Sequence, residues 1–499
     1  MTLTVVSWPL NLLLFFIFSG YLIYKYVTRN FDYWKTRGVP YVKPIPIFGN
    51  TWKLVSFKLT IGVFFQDLYN SVKQPFFGVF IFDTPALIIK DPELVKSILI
   101  KDFSVFDNHS VLDGTNLEPL VPHMLFFTRN PEWKQSRMKL NPMFSTGKLR
   151  SMVPMVNDVG KILADHVGKS AEKGATVETK ELCVKFATDV ITSCFFGINA
   201  NCFENEEAEF RKAAGVLFGF TWKRGIAQSS YWFAHKLAKL FKLSMFDRDT
   251  LKFLTTAFLD TMKYREDSGC IRNDLIDYMI KMKGAFSFND NFIVSNPIQL
   301  FIAGLETTSS TICFTLFELS LNEKLQTKLR EEILQCLKKH GEINYDALKD
   351  MSLLDLCIAE TLRKYPVLPF LDRECNRDYT LPGTKITIEK GTAIYFPMFG
   401  FHYDEQYFPE PQKYDPYRFS GTYQDKITSG YYFPFGLGPR ICIGERLGVM
   451  NSKIGLVQIL SKFEVLKNDK LKTPLQFEPR SFVLGVKGGI PLKFKKLID

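Results

Sequence analysis

The chain has 499 residues, 46% of them hydrophobic and 47 of them Phe, enough to bury a large core and too much for a disordered tail. Its formal net charge of +11 comes from 63 Lys and Arg spread along the chain, with no zinc-finger spacing and no basic-region heptads, which argues against a nucleic-acid reader and leaves an acidic partner or an anionic membrane surface. Nine cysteines, an odd number with no C-x-x-C pair among them, argue against a disulfide framework and a structural zinc site and favour a reducing compartment.

Residues 1–24 carry no charged side chain, and as a helix they reach about 30 Å or a little more, enough to cross a bilayer. A cleaved secretory leader ending near Ser19-Gly20 is the alternative. The length of the apolar run and the odd cysteine count favour an anchor instead. Lys25, Arg29, Lys35 and Arg37 follow at once, so by the positive-inside rule the rest of the chain stays cytosolic. Residues 25–50 read as a basic linker stiffened by Pro40, Pro44 and Pro46, and residues 51–499 as the main body.

"FFGVFIFDTPALIIK" (76–90) predicts two strands around a turn at Asp83-Thr84-Pro85, and Asp91-Pro92 predicts an N-cap with proline at the first helical position. Trp133 and Arg137 then fall one helical turn apart, where an arginine packing on an indole is the plain interpretation. From about 150 to 365 the apolar positions recur at helical spacing, so the fold class is mainly α with small β-sheets. "FTWKRGIAQSSYWFAHKLAKLFKL" mixes aromatics with Lys223, Arg224, Lys236, Lys239 and Lys242, as a segment resting on a bilayer would. In "FIAGLETTSST" the residues Ala303, Glu306, Thr307 and Ser310 share one side of a helix, and Ala303 and Gly304 allow something flat to approach it. Pro297 just upstream implies that this helix is bent there or starts later. "SLLDLCIAETLRKYP" predicts a helix capped by Ser352 and ending before Pro366, with Glu360 and Arg363 three apart on one face.

The most informative stretch is "FPFGLGPRICIG", which spends glycines 436, 438 and 444 around Cys442. It is no nucleotide loop, because Ile441 stands where a third glycine belongs and no Lys-Ser/Thr pair follows. No nearby histidine marks Cys442 as a nucleophile, and a buried structural cysteine is the common fate of a lone one. The neighbourhood favours a third reading. Glycines let a backbone approach a flat ligand, Arg440 supplies a fixed cation near the sulfur, and a helix starting just after Cys442 favours negative charge at its N-terminus. These are the needs of a metal-bound thiolate.

Phe435, Gly438, Arg440, Cys442 and Gly444 match F-x-x-G-x-R-x-C-x-G at every defined position, and here the sequence resembles the cytochrome P-450 superfamily of haem-thiolate monooxygenases, a well-known case of cysteine-ligated haem. The resemblance extends over nearly the whole chain and implies that residues 51–499 are the haem-binding catalytic domain, holding haem b with Cys442 as axial ligand. It further implies that Glu360 and Arg363, with Arg418 of "YDPYRF", form a buried triad below the haem; Tyr417 stands where the family usually has glutamate. Trp133 and Arg137, with Arg440 and Arg373, are then the haem-propionate partners, since planar cations suit carboxylates. Ala303, Gly304, Glu306 and Thr307 match the oxygen-activating [AG]-G-x-[DE]-T segment, the acid and alcohol relaying protons.

The reaction so implied inserts one oxygen atom of O2 into a lipophilic molecule, with electrons from NADPH. The chain shows no flavin or nicotinamide motif, so a membrane-bound NADPH-cytochrome reductase is the expected partner, docking near Arg440 and Lys453, with cytochrome b5 as a further donor. By family position the substrate pocket draws on residues 105–126, Phe218, Phe220, Phe301, Ile302, Val367, Leu368, Pro369, Phe370 and Phe482 to Leu484, mostly apolar. Within the superfamily the chain looks closest to insect microsomal family-six enzymes, which implies an endoplasmic-reticulum location and substrates among xenobiotics, plant toxins and insecticides, or endogenous lipids and hormones. The competing functions are a membrane-anchored haem sensor or carrier without catalysis, and a haem-free receptor for lipophilic ligands.

Overall fold

The computed structural model describes residues 3–285, 290–421 and 423–497. Helix α1 (Leu3–Thr28) is long and apolar enough to cross a membrane, and its large side chains from Leu10 to Tyr26 face outward, covered by nothing else in the protein. The segment after it is docked on the body. Trp34 is fully buried and donates its Nε1–H to the Val79 carbonyl at 3.1 Å. A Cβ on Gly78 would come within 2.3 Å of that indole, so glycine is required there. The Gly78 N–H bonds the Pro40 carbonyl at 2.7 Å, and its carbonyl accepts the Val42 N–H at 3.0 Å. The proline-rich stretch therefore adds an edge to the first sheet.

That sheet starts with the antiparallel pair β1 (Phe76–Ile81) and β2 (Thr84–Ile89), whose register ends at Ile81 opposite Thr84. The turn is consequently Phe82-Asp83, with Phe82 at a φ of 55°, and Thr84 and Pro85 belong to the strand rather than to the turn expected from sequence. Pro85 is tolerated because the pairing of β2 with its other neighbour begins only at Ala86. The order is completed by β3 (Phe370–Glu374) and β4 (Ala393–Pro397), giving β1-β2-β4-β3 with β4 parallel to β2 and antiparallel to β3. A three-stranded and a two-stranded sheet make up the rest of the β structure among the described residues. Asp91 caps the helix that follows β2, its Oδ1 accepting the Leu94 N–H at 2.8 Å, as the sequence predicts.

The bulk is helical, as the apolar periodicity requires. Helices α2 (Glu132–Leu140), α3 (Thr146–Glu172) and α4 (Thr179–Ile191) lead to the long α5 (Asp290–Ser320), followed by α6 (Ser352–Lys364) and α7 (Glu445–Leu460). α5 is mostly buried and packs against α4, α6 and α7, while α3 packs on α7. It runs through Pro297 without a break, so the expectation of a later start does not hold. Asn296, just before the proline, ties α5 to the 123–125 segment: its Nδ2 donates to the Phe292 carbonyl at 2.9 Å and to the His123 carbonyl at 3.2 Å, and its Oδ1 accepts the Leu125 N–H at 3.2 Å. Ser352 is not the cap of α6. Glu332 of the neighbouring helix reaches over, its carboxylate accepting the N–H groups of Leu353 at 2.7 Å and Leu354 at 3.1 Å. A carboxylate satisfies two orphan amides where a hydroxyl would satisfy one.

Candidate active site

The loop before α7 folds around Cys442. Gly436 and Gly438 have φ of 83° and 73°, and a Cβ on Gly438 would sit 1.9 Å from the Leu99 carbonyl oxygen, so glycine is demanded there by both conformation and space. The Cys442 N–H bonds the Phe435 carbonyl at 2.9 Å. Gly444 is the first residue before α7 with an ordinary φ of −94°; a Cβ there would lie 4.0 Å from the Cys442 sulfur, narrowing the space beside it.

Cys442 is exposed although its loop is inside the protein, which means that the thiol faces an internal space. Burial pushes the thiol pKa up, with the Glu445 carboxylate adding to it; N–H groups of Gly444 and Glu445 and the guanidinium of Arg137 pull the other way. Arg137 is itself fixed, Nη1 to the Ile441 carbonyl at 2.8 Å and Nε to Asn141 Oδ1 at 3.0 Å. The cation beside the sulfur is thus Arg137, where the sequence had pointed to Arg440.

Arg440 is buried and clamps the segment across from the loop. Its Nε donates to the Asp107 carbonyl at 2.5 Å, Nη2 to the Thr128 carbonyl at 2.9 Å, and Nη1 to the Phe126 carbonyl at 3.4 Å, with the guanidinium 4.4 Å from the Trp133 ring centroid. Lys453 is also buried, bonded to the Leu348 carbonyl at 2.5 Å and paired with Asp355 at 2.7 Å. Neither can offer charge to a docking protein, which corrects the partner face expected around them.

Arg373 in β3 is fully buried, donates to the Asp372 carbonyl at 2.7 Å, and leaves its Nε without a partner among the described residues. Burial lowers its pKa to about 10, with Asp372 opposing. Burial works to raise the pKa of Asp372, but His109 at 2.9 Å, Arg373 and the Ser110 hydroxyl and N–H outweigh it and hold the carboxyl at about 2. Its oxygens are therefore committed. Among the described residues no carboxylate lies in ion-pair range of Arg373 or Arg440, and the two cations repel each other.

On α5 the predicted face divides. Ala303 is exposed and Thr307 half-buried, with the Thr307 hydroxyl bonded to the Ala303 carbonyl at 2.8 Å. Glu306 and Ser310 are buried and turn toward α4, where Lys180 meets Glu306 Oε1 and the hydroxyls of Ser309 and Ser310, each at 2.8 Å. Gly304 faces α4 as well: a Cβ would lie 2.8 Å from Ile191 Cδ1, so its smallness serves helix packing. Glu360 and Arg363, both fully buried, pair at 2.7 Å and Arg418 joins Glu360 at 3.1 Å, forming the expected triad. Tyr417 is exposed, so the family's glutamate has no buried partner to miss here.

The candidate substrate residues do not all converge. Phe301 packs between Phe196 and Phe210 at 5.8 and 5.9 Å and is helix core. Phe220 joins Phe57 and Trp222 on the outside. Phe370 and Phe482 do meet, through Trp232, which its local pattern does not distinguish from the other aromatics of residues 220–243. Lys180 is a second residue that sequence reasoning misses; nothing in its local pattern separates it from a surface lysine.

The family model of cytochrome P450 matches residues 39–492. The chain is a cytochrome P450. Among curated proteins it is 38% identical over 95% of its length to cytochrome P450 6k1 and 37% identical over 96% to cytochrome P450 6j1, both of Blattella germanica, covering 94% and 97% of those proteins. It is 34% identical over 93% of its length to probable cytochrome P450 6g2 of Drosophila melanogaster, covering 94% of it, which puts it close to insect family six.

Enzymes of the cytochrome P450 family carry haem with an axial cysteine thiolate and take O2 as co-substrate. The residues of this P450 fit that group. Among the described residues no three His, Cys, Asp or Glu side chains gather as a metal site, so a metal bound by Cys442 would have to bring further ligands of its own, as iron in a porphyrin does. A haem also brings two carboxylates, and the buried Arg373 with its free Nε supplies a cation lacking one.

Proposed function

We propose that this cytochrome P450 inserts one oxygen atom of O2 into lipophilic small molecules, xenobiotics such as plant toxins and insecticides among them, with electrons from NADPH delivered by a membrane-bound reductase and, as a second donor, cytochrome b5. Cys442 ligates the haem, Arg373, Arg137 and Trp133 hold its propionate edge, and the haem so bound supplies the oxidising chemistry. The observation that carries this reading is the Cys442 loop: a sulfur facing an internal space, with the backbone N–H groups of Gly444 and Glu445 bonded to it and the positive charge of Arg137 acting on it.

The remaining work falls to side chains of α5. Thr307 holds a hydroxyl proton on the Ala303 carbonyl at 2.8 Å, beside the exposed Ala303 surface. Glu306, one residue earlier, keeps its carboxylate on Lys180, which is partly exposed and so links this acid to solvent protons. The cluster of Phe370, Phe482 and Trp232 is the apolar wall that excludes water from the substrate side. α1 and the exposed apolar residues around Trp222 support attachment to a membrane, which we read as the endoplasmic reticulum, and the basic residues Lys25, Arg29, Lys35 and Arg37 after α1 favour the cytosolic side for the body.

The test is the Cys442→Ala variant in membranes containing the reductase and NADPH. The unaltered protein gives a red-shifted absorption band when reduced and treated with carbon monoxide, and transfers label from 18O2 to product. The variant loses both; a variant that keeps either one overturns the reading.

A further inference from the structure

The short helix Trp222–Phe233 ends in three aromatic residues, of which Tyr231 and Trp232 have different surroundings. Tyr231 is buried, its hydroxyl bonded to Glu118 Oε2 at 2.5 Å and its carbonyl accepting the Leu112 N–H at 2.9 Å. The same Glu118 accepts the N–H of Met245 at 2.8 Å. One buried carboxylate thus staples the 112–118 segment to this helix end and fixes the backbone that carries Trp232.

Trp232 lies against Phe482 at 5.0 Å, Phe370 at 5.4 Å and Phe126 at 5.9 Å. It is 6% exposed, and its Nε1–H has no hydrogen-bond partner among the described residues. A buried indole N–H normally finds an acceptor, and one left without is a cost that the protein carries. Its ring neighbours belong to the active-site elements. Arg440 binds the Phe126 carbonyl, and Phe370 opens the strand that holds Arg373. Phe126 and Phe482 are half-buried whereas Phe370 is buried, so the less enclosed side of the indole is the one these two rings line.

We infer that the Trp232 N–H is the polar anchor of the substrate site, and that it selects apolar ring compounds carrying a hydrogen-bond acceptor, such as a ketone, ester or ether oxygen. The inference rests on the monooxygenase reading for where the substrate lies, but not on turnover. The rings give affinity without direction; the indole N–H fixes which end of the molecule lies at Trp232 and therefore which end faces the Cys442 loop.

The probes are 9-fluorenone and fluorene, which differ by a carbonyl in place of a methylene. In equilibrium dialysis against the haem-loaded protein, corrected for each compound's partition between water and hydrocarbon, fluorenone should bind about five- to fiftyfold more tightly. Trp232→Phe keeps a ring and removes the N–H, so it should abolish that preference, whatever its smaller ring does to the affinity shared by both compounds. No preference in the unaltered protein, or the same preference in both, overturns the inference. If the variant does not fold, the unaltered protein with 15N-labelled indoles decides: one of its six tryptophan N–H resonances should move downfield with fluorenone and not with fluorene, and no movement overturns the inference. The carbon-monoxide band of the same sample tests the monooxygenase reading separately, so losing the band and losing the preference are different results.

Discussion

His402 sits fully buried between the triad and the Cys442 loop. Its Nδ1–H donates to the Arg363 carbonyl at 3.1 Å, and its Nε2 accepts the Phe433 N–H at 3.4 Å, roles that together belong to the neutral ring. Burial first, and Arg363 second, hold its pKa down at about 3 against an ordinary 6.5. The folded value lies below the unfolded one, so this contribution to stability is complete above pH 6.5 and is lost as pH falls toward 3. At pH 5 the loss is about 2 kcal/mol. Urea unfolding at pH 8 and pH 5 should show His402→Gln with an acid-induced loss smaller by about that amount; an unchanged loss would remove His402 as its source. In the adjacent triad, Glu360→Gln leaves Arg363 and Arg418 buried without a carboxylate and should cost about 3–5 kcal/mol, while exposed Tyr417→Glu should stay within about 0.5 kcal/mol in the same assay. The triad was legible because its members carry a spacing and a motif. His402 was not, since both of its partners are backbone atoms brought to it only by the fold.

Between α4 and α5 the decisive pair is Lys180 and Glu306, 28% and 9% exposed at their side chains. Lys180→Met strands a buried carboxylate. Because the lysine is partly hydrated, the expected loss is about 1–3 kcal/mol, below that of a fully buried pair. Adding Glu306→Gln should recover most of it, and a double variant no more stable than the single one would show that the pair does not hold the seam. Periodicity identified α5 as a buried helix, but sequence gives only the angle of a residue around its axis. Glu306 lies on the flank of the Ala303 and Thr307 face, and whether a flank residue joins the cavity or the neighbouring helix depends on what that helix presents. Here α4 presents a lysine, and the acid turns to it. The caps show the same limit: Asp91 caps its own helix and was legible, whereas Glu332 caps α6 from another helix and was not.

At the scale of the molecule, two extended apolar surfaces stand out among the described residues as uncovered by the protein. One is α1; the other lies on the paired short helices around 222–241, where Trp222, Leu240 and Phe241 are 62%, 72% and 66% exposed. Lys223, Lys236, Lys239 and Lys242 are exposed beside them, so an anionic lipid surface matches this region in both polarity and charge. Moving those three side chains out of water is worth about 1–2 kcal/mol each at about 25 cal/mol per Å², or roughly a thousandfold in partition together. A chain lacking residues 1–28 keeps Trp34 and the docked segment, and it should still sediment with vesicles containing phosphatidylserine. Changing Trp222, Leu240 and Phe241 to Ser in that chain should lower its vesicle partition at least about a hundredfold. Raising salt to about 1 M should remove only the lysine share, because screening acts on charge and not on apolar burial. A truncated chain that stays in the supernatant would assign all membrane attachment to α1, and the second surface would then need another cover.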